Sequence, residues 1–276
     1  ISGLKVRKQL MYSQLAAAAV LTCLALPSTA QAELCHGRTD ALGTSRTIVL
    51  EPSQQRRLGL MDHGETLPLA DHEVVLTFDD GPIPRYTPMV LDALAAECVK
   101  ANFFLVGQMA ETYPALVQRE YREGHAIGTH TQHHRDLNRL SEEAATKEIT
   151  DGIASVNKAL GGPVAAPFFR FPYLDQKPAK DAIALRLGLT VWSADFQDYD
   201  WHRISPGQVA AKALTALERY KKGILLLHDI HKRTALALPL ILSELKKRGY
   251  RVVHVVPADA ANPKTAARPR QGTATN

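Results

Sequence analysis

The sequence predicts an α/β fold built on parallel strands, and two observations support this class. Short apolar and β-branched segments alternate with longer helical segments along most of the chain. Parallel strands joined by helical crossovers produce this alternation. No Gly-x-Gly-x-x-Gly follows the first buried strand and the sequence has no phosphate-loop motif, which disfavours the nucleotide-binding folds. The alternation fits either an open doubly wound sheet or an incomplete barrel.

The elements are predicted in regular order between residues 72 and 257. Strands are expected at Val74–Asp79, Asn102–Val106, Ala126–His130, Phe168–Pro172, Leu189–Ser193, Gly223–His228 and Arg251–Val255. Helices are expected near Thr87–Lys100, Glu111–Gly124, Ser141–Leu160, Ala179–Leu187, Pro206–Lys222 and Thr234–Arg248. The last helix carries leucine and isoleucine at helical spacing and should end before Gly249, which favours a helix C-terminus.

The two ends of the chain differ from its body. Lys5, Arg7 and Lys8 precede a short apolar run with a small-residue ending, so residues 1–32 are predicted to be a secretory signal peptide. A retained membrane anchor is the alternative. Residues 33–71 are expected to form an N-terminal arm or short hairpin, residues 72–257 one domain, and residues 258–276 a disordered basic tail.

The charge distribution argues against a nucleic-acid partner. The formal net charge is +5, but the excess of lysine and arginine lies in the two ends. Residues 33–257 carry as many acidic as basic side chains, whereas a nucleic-acid groove needs clustered positive charge on the body of the domain. After the predicted signal peptide two cysteines remain, Cys35 and Cys98, and export makes a disulfide between them feasible without establishing it.

Candidate catalytic carboxylates follow the first buried strand. Asp79 and Asp80 lie where this strand should leave the sheet, just before Gly81-Pro82. Sites in helix-covered parallel sheets form at the carboxyl ends of strands. Adjacent residues of an extended chain point in opposite directions, so one aspartate can hold a metal while the other faces elsewhere. The alternative is a pair of turn carboxylates that cap the next helix.

A histidine pair supplies a second candidate feature. His130 and His134 are four residues apart, the spacing that places two imidazoles on one face of a helical turn. With one carboxylate from elsewhere, such a pair forms a three-ligand zinc site with a position left for water. The alternative is a surface or structural pair. His125 and His133, although nearby, are expected not to bind the metal.

Five motifs in a fixed order resemble the polysaccharide deacetylase family, the NodB-homology domain of carbohydrate esterase family 4. They are Thr77-Phe78-Asp79-Asp80-Gly81-Pro82, His130-Thr131-x-x-His134, Phe169-Arg170-Phe171-Pro172-Tyr173, Trp192-Ser193-Ala194-Asp195 running on to Asp198, and Leu226-Leu227-His228-Asp229. The resemblance covers roughly residues 72–257, nearly all of the chain after the predicted signal peptide, and implies a distorted (β/α)7 barrel with one catalytic domain.

The resemblance also implies a role for each matched residue. Asp80, His130 and His134 would bind a divalent metal, with Asp79 as the base that deprotonates the attacking water and His228 as the acid. Arg170 would orient Asp79, and the backbone N–H of Tyr173 would complete an oxyanion hole. Asp195 would pair with His228, although the register of this motif is ambiguous and Asp198 is the alternative.

The expected activity is hydrolysis of the N-acetyl groups of N-acetylglucosamine units in a peptidoglycan-like or chitin-like polymer. Zinc is the expected cofactor, with cobalt or another divalent ion as alternatives. The expected partner is the N-acetylated polysaccharide, and the expected location is the periplasm, the cell envelope or the medium. Two alternatives stay open: an O-acetyl esterase acting on a xylan-type polymer, and a non-catalytic glycan-binding protein on the same scaffold.

Overall fold

The computed structural model describes residues 38–163 and 165–258. Within these ranges the strands are β1 (Thr44–Leu50), β2 (Arg57–Leu58), β3 (Glu73–Asp79), β4 (Asn102–Leu105), β5 (Ala126–Thr129), β6 (Phe168–Arg170), β7 (Thr190–Trp192), β8 (Phe196–Gln197), β9 (Gly223–His228) and β10 (Arg251–Pro257). The α-helices are α1 (Thr87–Ala96), α2 (Gly107–Thr112), α3 (Pro114–Arg122), α4 (Glu142–Leu160), α5 (Pro178–Arg186), α6 (Pro206–Tyr220) and α7 (Lys232–Lys247). The predicted signal peptide and all but the first residue of the predicted tail lie outside the described residues.

The strands form one sheet in which every pairing found within the described ranges is parallel. β3 lies at its centre, with β4, β5, β6 and β7 following on one side and β9 and then β8 on the other. Helical crossovers join β3, β4, β5, β6 and β7 in turn, and also join β8 to β9 and β9 to β10. The expected α/β class is confirmed, and the arrangement is that of the distorted barrel.

The predicted arm contributes two strands to this sheet. β1 pairs with β10, and β2 pairs with β7, where Arg57 lies opposite Val191. The two strands do not pair with each other, so the alternative of a short hairpin is wrong. Their apolar side chains explain the difference, because Ile48, Leu50 and Leu58 are buried in the core that the barrel strands share.

Proline positions account for two departures from the predicted boundaries. The single helix expected at Glu111–Gly124 is two helices, because Pro114 has no N–H for a continuous helix and instead begins α3. β6 ends at Arg170 rather than Pro172, since the chain turns at Pro172 into a short 3-10 helix. The other predicted strands and helices agree with the structure to within a few residues.

Successive side chains along β3 alternate between two hydrophobic clusters, and this alternation determines the direction of the Asp79 side chain. Val74, Leu76 and Phe78 pack outward in a cluster shared with the helices. Val75 faces the opposite way, into a cluster built from strands and loops, which is the barrel interior. Asp79 has the same parity as Val75, so its side chain points into the barrel at the carboxyl end of the strand.

The same parity places two further polar side chains at that end. On β6, Phe168 lies in the interior cluster and Arg170 follows two residues later. On β9, Ile224 lies in the interior cluster and His228 follows four residues later. The pattern of each strand therefore directs Arg170 and His228 toward Asp79.

Two further observations concern membrane-spanning helices and the cysteines. None of the described helices is both long and apolar enough to cross a lipid bilayer. Cys98 takes part in a disulfide, and Cys35, its expected partner, lies outside the described residues.

Candidate metal centre and active site

The three predicted metal ligands meet at the carboxyl ends of β3 and β5. Asp80 Oδ1 lies 3.2 Å from His134 Nε2 and 3.5 Å from His130 Nε2. One potential ligand atom from each residue lies within 4.8 Å of the other two, a geometry that no other group of His, Cys, Asp or Glu reaches among the described residues. The three side chains therefore form a candidate metal site.

The expectation that a helical turn carries the two histidines is wrong. His130 directly follows β5, and residues 131–134 form an irregular loop. Thr131 and His134 have φ angles of 65° and 54°, and the His134 N–H donates to Thr131 Oγ1 at 3.0 Å. Left-handed backbone at such residues persists only where surrounding contacts hold it, so this loop is constrained in the shape that turns His134 toward Asp80.

The orientation of His130 is set by a hydrogen bond on the far side of its ring. Its Nδ1 lies 2.7 Å from the carbonyl oxygen of Arg170, which can only accept, so Nδ1 is the donor. Burial lowers the pKa of His130, and this effect exceeds the opposing influence of Asp79 and Asp80. The neutral ring then leaves the lone pair of Nε2 directed at Asp80, as a metal-binding imidazole requires.

The state of Asp80 fits a bound cation. Its Oδ1 is buried and has no hydrogen-bond partner, although two imidazole nitrogens face it. Burial raises the pKa of this carboxyl, but the neighbouring His134 and the protonated His228 offset burial, and the pKa is held well below its usual range. A buried carboxylate oxygen without a donor is costly unless a cation neutralises it, and two imidazoles with one carboxylate suit a divalent ion.

The Asp79 carboxylate is held in place by a buried arginine, Arg170. Arg170 Nη1 donates to Asp79 Oδ1 at 2.7 Å and to Thr77 Oγ1 at 2.9 Å, while Nη2 donates to the Ser193 carbonyl at 2.8 Å. The guanidinium lies over the Phe104 ring, 4.3 Å from its centroid. Burial lowers the pKa of Arg170, and the adjacent Asp79 opposes this. Asp79 Oδ2 is left free of Arg170 and lies 4.0 Å from His130 Nε2, toward the candidate metal site.

The expected pairing of His228 with Asp195 is wrong, because His228 pairs with Asp200. His228 Nδ1 lies 2.7 Å from Asp200 Oδ1, and the His228 N–H donates to Asp200 Oδ2 at 2.7 Å. Thr234 Oγ1 also donates to Asp200 Oδ2, at 2.6 Å. Burial lowers the pKa of His228, but Asp200 more than offsets it and raises that pKa to about 10.

Asp195 has a different function in the fold. Its Oδ1 accepts from the Leu60 N–H, and its Oδ2 accepts from Thr66 Oγ1 and the Ile224 N–H, each at 2.8 Å. These bonds join the arm to β9, so the carboxylate is a structural link. A sequence signal for Asp200 existed, since the Asp200-Trp201 dipeptide matches the end of the family's Asp-x-x-Asp-Trp motif.

Asp198, the alternative partner, supports the loop that carries Asp200. It is fully buried, and its Oδ1 accepts from the Asp200 N–H at 3.1 Å. Burial, followed by the neighbouring charge of Asp200, raises the pKa of Asp198 well above its usual range. Among the described residues, Asp198 makes no hydrogen bond to His228; it stabilises the loop by accepting from the Asp200 N–H.

Aromatic side chains surround the opening of the site. Tyr173, with a φ of 63°, is 67% exposed, and its ring packs edge-on against His134 at 4.6 Å. Trp201 lies 5.6 Å from the His228 ring, and Tyr199 lies 5.3 Å from Trp201. Large exposed rings around a polar centre form a surface on which sugar rings can stack.

The two neighbouring histidines, His125 and His133, have other hydrogen-bond partners. His125 is buried and its Nδ1 accepts from the Ala101 N–H at 3.1 Å. Burial, aided by the positive charge of Lys100, lowers the pKa of His125 to about 3. His133 Nδ1 lies 3.0 Å from Glu148 Oε1. Neither belongs to the candidate metal site.

The fold and the site together define a class: a parallel α/β barrel with a candidate Asp-His-His cation site between an aspartate–arginine pair and a histidine–aspartate pair. Residues 67–192 match the family model described as polysaccharide deacetylase. A peptidoglycan-N-acetylglucosamine deacetylase of Bacillus cereus is 37% identical over 188 residues, which cover 66% of this chain and 85% of that protein. The chain belongs to the polysaccharide deacetylase family.

Two further comparisons agree with this assignment. The peptidoglycan-N-acetylglucosamine deacetylase PgdA of Listeria monocytogenes is 36% identical over 187 residues, covering 66% of this chain but only 38% of that protein's length. The structure of the Bdellovibrio bacteriovorus peptidoglycan deacetylase Bd3279 superposes with a TM-score of 0.70 at 33% identity, covering 78% of this chain and 60% of that one.

Proposed function

We propose that this protein is a metal-dependent hydrolase that removes N-acetyl groups from N-acetylglucosamine units of a polysaccharide. The observation that carries the proposal is the convergence of a candidate base, a cation site and a candidate acid at one end of the barrel. Asp79 Oδ2 lies beside the Asp80–His130–His134 site, and His228 stands opposite Asp79 on the neighbouring strand. The names of the three relatives described above, two peptidoglycan-N-acetylglucosamine deacetylases and one peptidoglycan deacetylase, support the same reaction.

Asp79 is the proposed general base. Arg170 occupies Asp79 Oδ1 and fixes the plane of the carboxylate, so Oδ2 is the oxygen directed toward the cation site. A base must lie within hydrogen-bond reach of the proton that it removes, and this position provides that reach for a water at the site. Asp79 therefore takes the proton of the attacking water while Arg170 keeps its orientation.

Asp80, His130 and His134 are the proposed ligands of a divalent cation, most readily zinc. When bound, such an ion supplies Lewis-acid chemistry, by acidifying water and polarising the acetyl carbonyl. The protein contributes the donors and their orientation: the Arg170 carbonyl fixes the His130 ring, and the constrained loop fixes His134. Cobalt or another divalent ion suits the same donor set.

His228 is the proposed general acid. Asp200 accepts from Nδ1, so the second proton of the imidazolium lies on Nε2, and the raised pKa keeps the ring protonated at neutral pH. The leaving group is an amine, which departs only when it is protonated. Donation from Nε2 supplies that proton. Tyr173 is the proposed source of the backbone N–H that stabilises the developing oxyanion.

The proposed substrate is an N-acetylglucosamine polymer outside the cytoplasm, with peptidoglycan favoured by the relatives' names. The exposed rings of Tyr199 and Trp201, next to His228, are the proposed stacking surface for the sugar. The predicted signal peptide supports export to the periplasm or cell envelope.

A substrate panel tests the proposal. Acetate release is measured from peptidoglycan, chitooligosaccharides and acetylxylan, with and without a chelator. We expect release from an N-acetylated glycan that is lost with the chelator and restored by added zinc or cobalt. Release from acetylxylan alone indicates an O-acetyl esterase, and metal-loaded protein that binds glycans without releasing acetate indicates a binding protein; either result contradicts the proposal.

A further inference from the structure

The loop at residues 59–66, here called the arm loop, lies directly on the end of β7. Gly59 has a φ of 109°, and a Cβ atom there would lie 2.6 Å from the Ser193 carbonyl carbon. The Met61 N–H donates to the Ala194 carbonyl at 2.9 Å, and the Leu60 N–H donates to Asp195. Only glycine permits so close an approach of the two backbones, so the sequence of the arm is fitted to this contact.

Ser193 connects the arm loop to Arg170. Its backbone N–H donates to the Leu58 carbonyl at 2.6 Å, and its hydroxyl donates to the Asp62 carboxylate. Its carbonyl accepts from Arg170 Nη2 at 2.8 Å. Ser193 is fully buried, and every polar group that it has is therefore bound either to the arm or to Arg170.

Arg170 depends on this carbonyl for its position. Its Nη1 contacts Thr77 and Asp79, whereas the Ser193 carbonyl is the acceptor for Nη2, and Nε has no partner. A guanidinium is a rigid planar fork, so a shift of the Nη2 acceptor rotates the Nη1 that holds Asp79. The bonds Asp62–Ser193–Arg170–Asp79 thus form one continuous chain from the surface to the proposed base.

We infer that Asp62, on the arm loop, is a positioning residue: through Ser193 it fixes Arg170 and thereby the orientation of the Asp79 carboxylate. Asp62 is solvent-exposed and acts from outside the barrel. The catalytic consequence rests on the proposed function. The structural consequence is a coupling between Asp62 and Asp79, and it does not depend on which substrate the protein acts on.

Kinetic measurements test the catalytic consequence. In Asp62→Ala, with no acceptor for the Ser193 hydroxyl, we expect kcat to fall about tenfold, since small misplacements of a catalytic group cost up to about 10²-fold. KM and metal content should stay at wild-type values. Asp62→Asn keeps an acceptor oxygen and should recover most of the rate. Glu65→Ala, which removes another exposed carboxylate of the same loop, is the matched control and should be unaffected.

The inference is overturned if Asp62→Ala retains the wild-type kcat, if its defect lies in KM or in metal content, or if Glu65→Ala is equally impaired. A failure of Asp62→Asn to recover more activity than Asp62→Ala also counts against it, because the hydrogen bond would then not be the relevant interaction.

Urea unfolding supplies a test that needs no activity. Variants Asp62→Ala, Asp79→Asn and the double mutant are compared, and linked residues give non-additive changes in unfolding free energy. The parallel cycle with Glu65→Ala should be additive. Additive behaviour of the Asp62 cycle overturns the inference. Wild-type protein that releases no acetate from any substrate instead refutes the proposed function and leaves the unfolding cycle to decide on Asp62.

Discussion

Asp79 and His228 occupy opposed positions at the ends of the neighbouring parallel strands β3 and β9. Both have the parity that faces the barrel interior, so the proposed base and acid emerge side by side from the sheet. Their partners approach from opposite directions: Arg170 from β6 on one side, Asp200 from the loop after β8 on the other. The register of a single strand pair thus sets the spacing of the two groups.

The first prediction concerns the proposed base. Asp79→Asn keeps the shape of the side chain and a hydrogen-bond acceptor for Arg170 but cannot take a proton. We expect kcat for acetate release to fall by at least about 10²-fold, the usual contribution of a general base. Metal content, measured by atomic absorption, should stay near that of the wild type. A fully active Asp79→Asn variant contradicts the assignment.

The second prediction concerns the pH dependence that Asp200 confers. An acid must be protonated to act, so activity is present below the pKa of His228 and is lost as pH rises through it. Asp200 raises that pKa to about 10. Removing its charge in Asp200→Asn should therefore move the alkaline limb of the kcat profile to lower pH and reduce the rate most strongly above neutrality.

Asp195→Asn provides the contrast for this measurement, because the hydrogen bonds of the Asp195 carboxylate go to Leu60, Thr66 and Ile224 and not to His228. Its alkaline limb should coincide with that of the wild type, apart from any loss of folded protein. If the alkaline limb shifted in Asp195→Asn but not in Asp200→Asn, the result would contradict the His228–Asp200 pairing and favour the His228–Asp195 pairing expected from the sequence.

The third prediction concerns stability. The Asp195 carboxylate accepts from two backbone N–H groups and one hydroxyl that link the arm, the barrel and β9. In Asp195→Asn an NH2 group replaces one of the two accepting oxygens, so at least one of these donors loses its acceptor. We therefore expect the unfolding free energy to fall by about 2–4 kcal/mol. Urea denaturation measures this change. An unchanged midpoint would show that the link to the arm does not stabilise the fold.

The fourth prediction concerns the metal. His134 is partly exposed and reaches the site from a loop, so His134→Ala should fold normally and lose most of the bound metal at low zinc concentration. Isothermal titration with zinc measures the affinity, and His133→Ala is the matched control from the same loop. Equal zinc affinity in the His134→Ala variant and the wild type would exclude His134 as a ligand.

Local patterns in the sequence were sufficient for the α/β class, whereas the barrel and the candidate metal ligands were implied by the five ordered motifs of the family. The alternation of Val74 to Asp79 identifies a buried strand, and strand parity then directs Asp79 inward. Asp80, His130 and His134 were identified as candidate ligands because they lie within two motifs of fixed spacing that follow β3 and β5. These features depend on neighbours close in the chain, so a single sequence carries them.

The partner of His228 and the place of the arm depended on contacts between distant segments. Asp195, Asp198 and Asp200 all follow β7 closely, and which of them reaches His228 is set by the path of the loop, where Asp198 holds the Asp200 backbone. Likewise nothing local in Asp62 or Ser193 indicates that they meet. Asp200 and His228 are 28 residues apart and Asp62 and Ser193 are 131 apart. Hydrogen bonds between such segments depend on how the sheet closes, which a linear pattern does not encode.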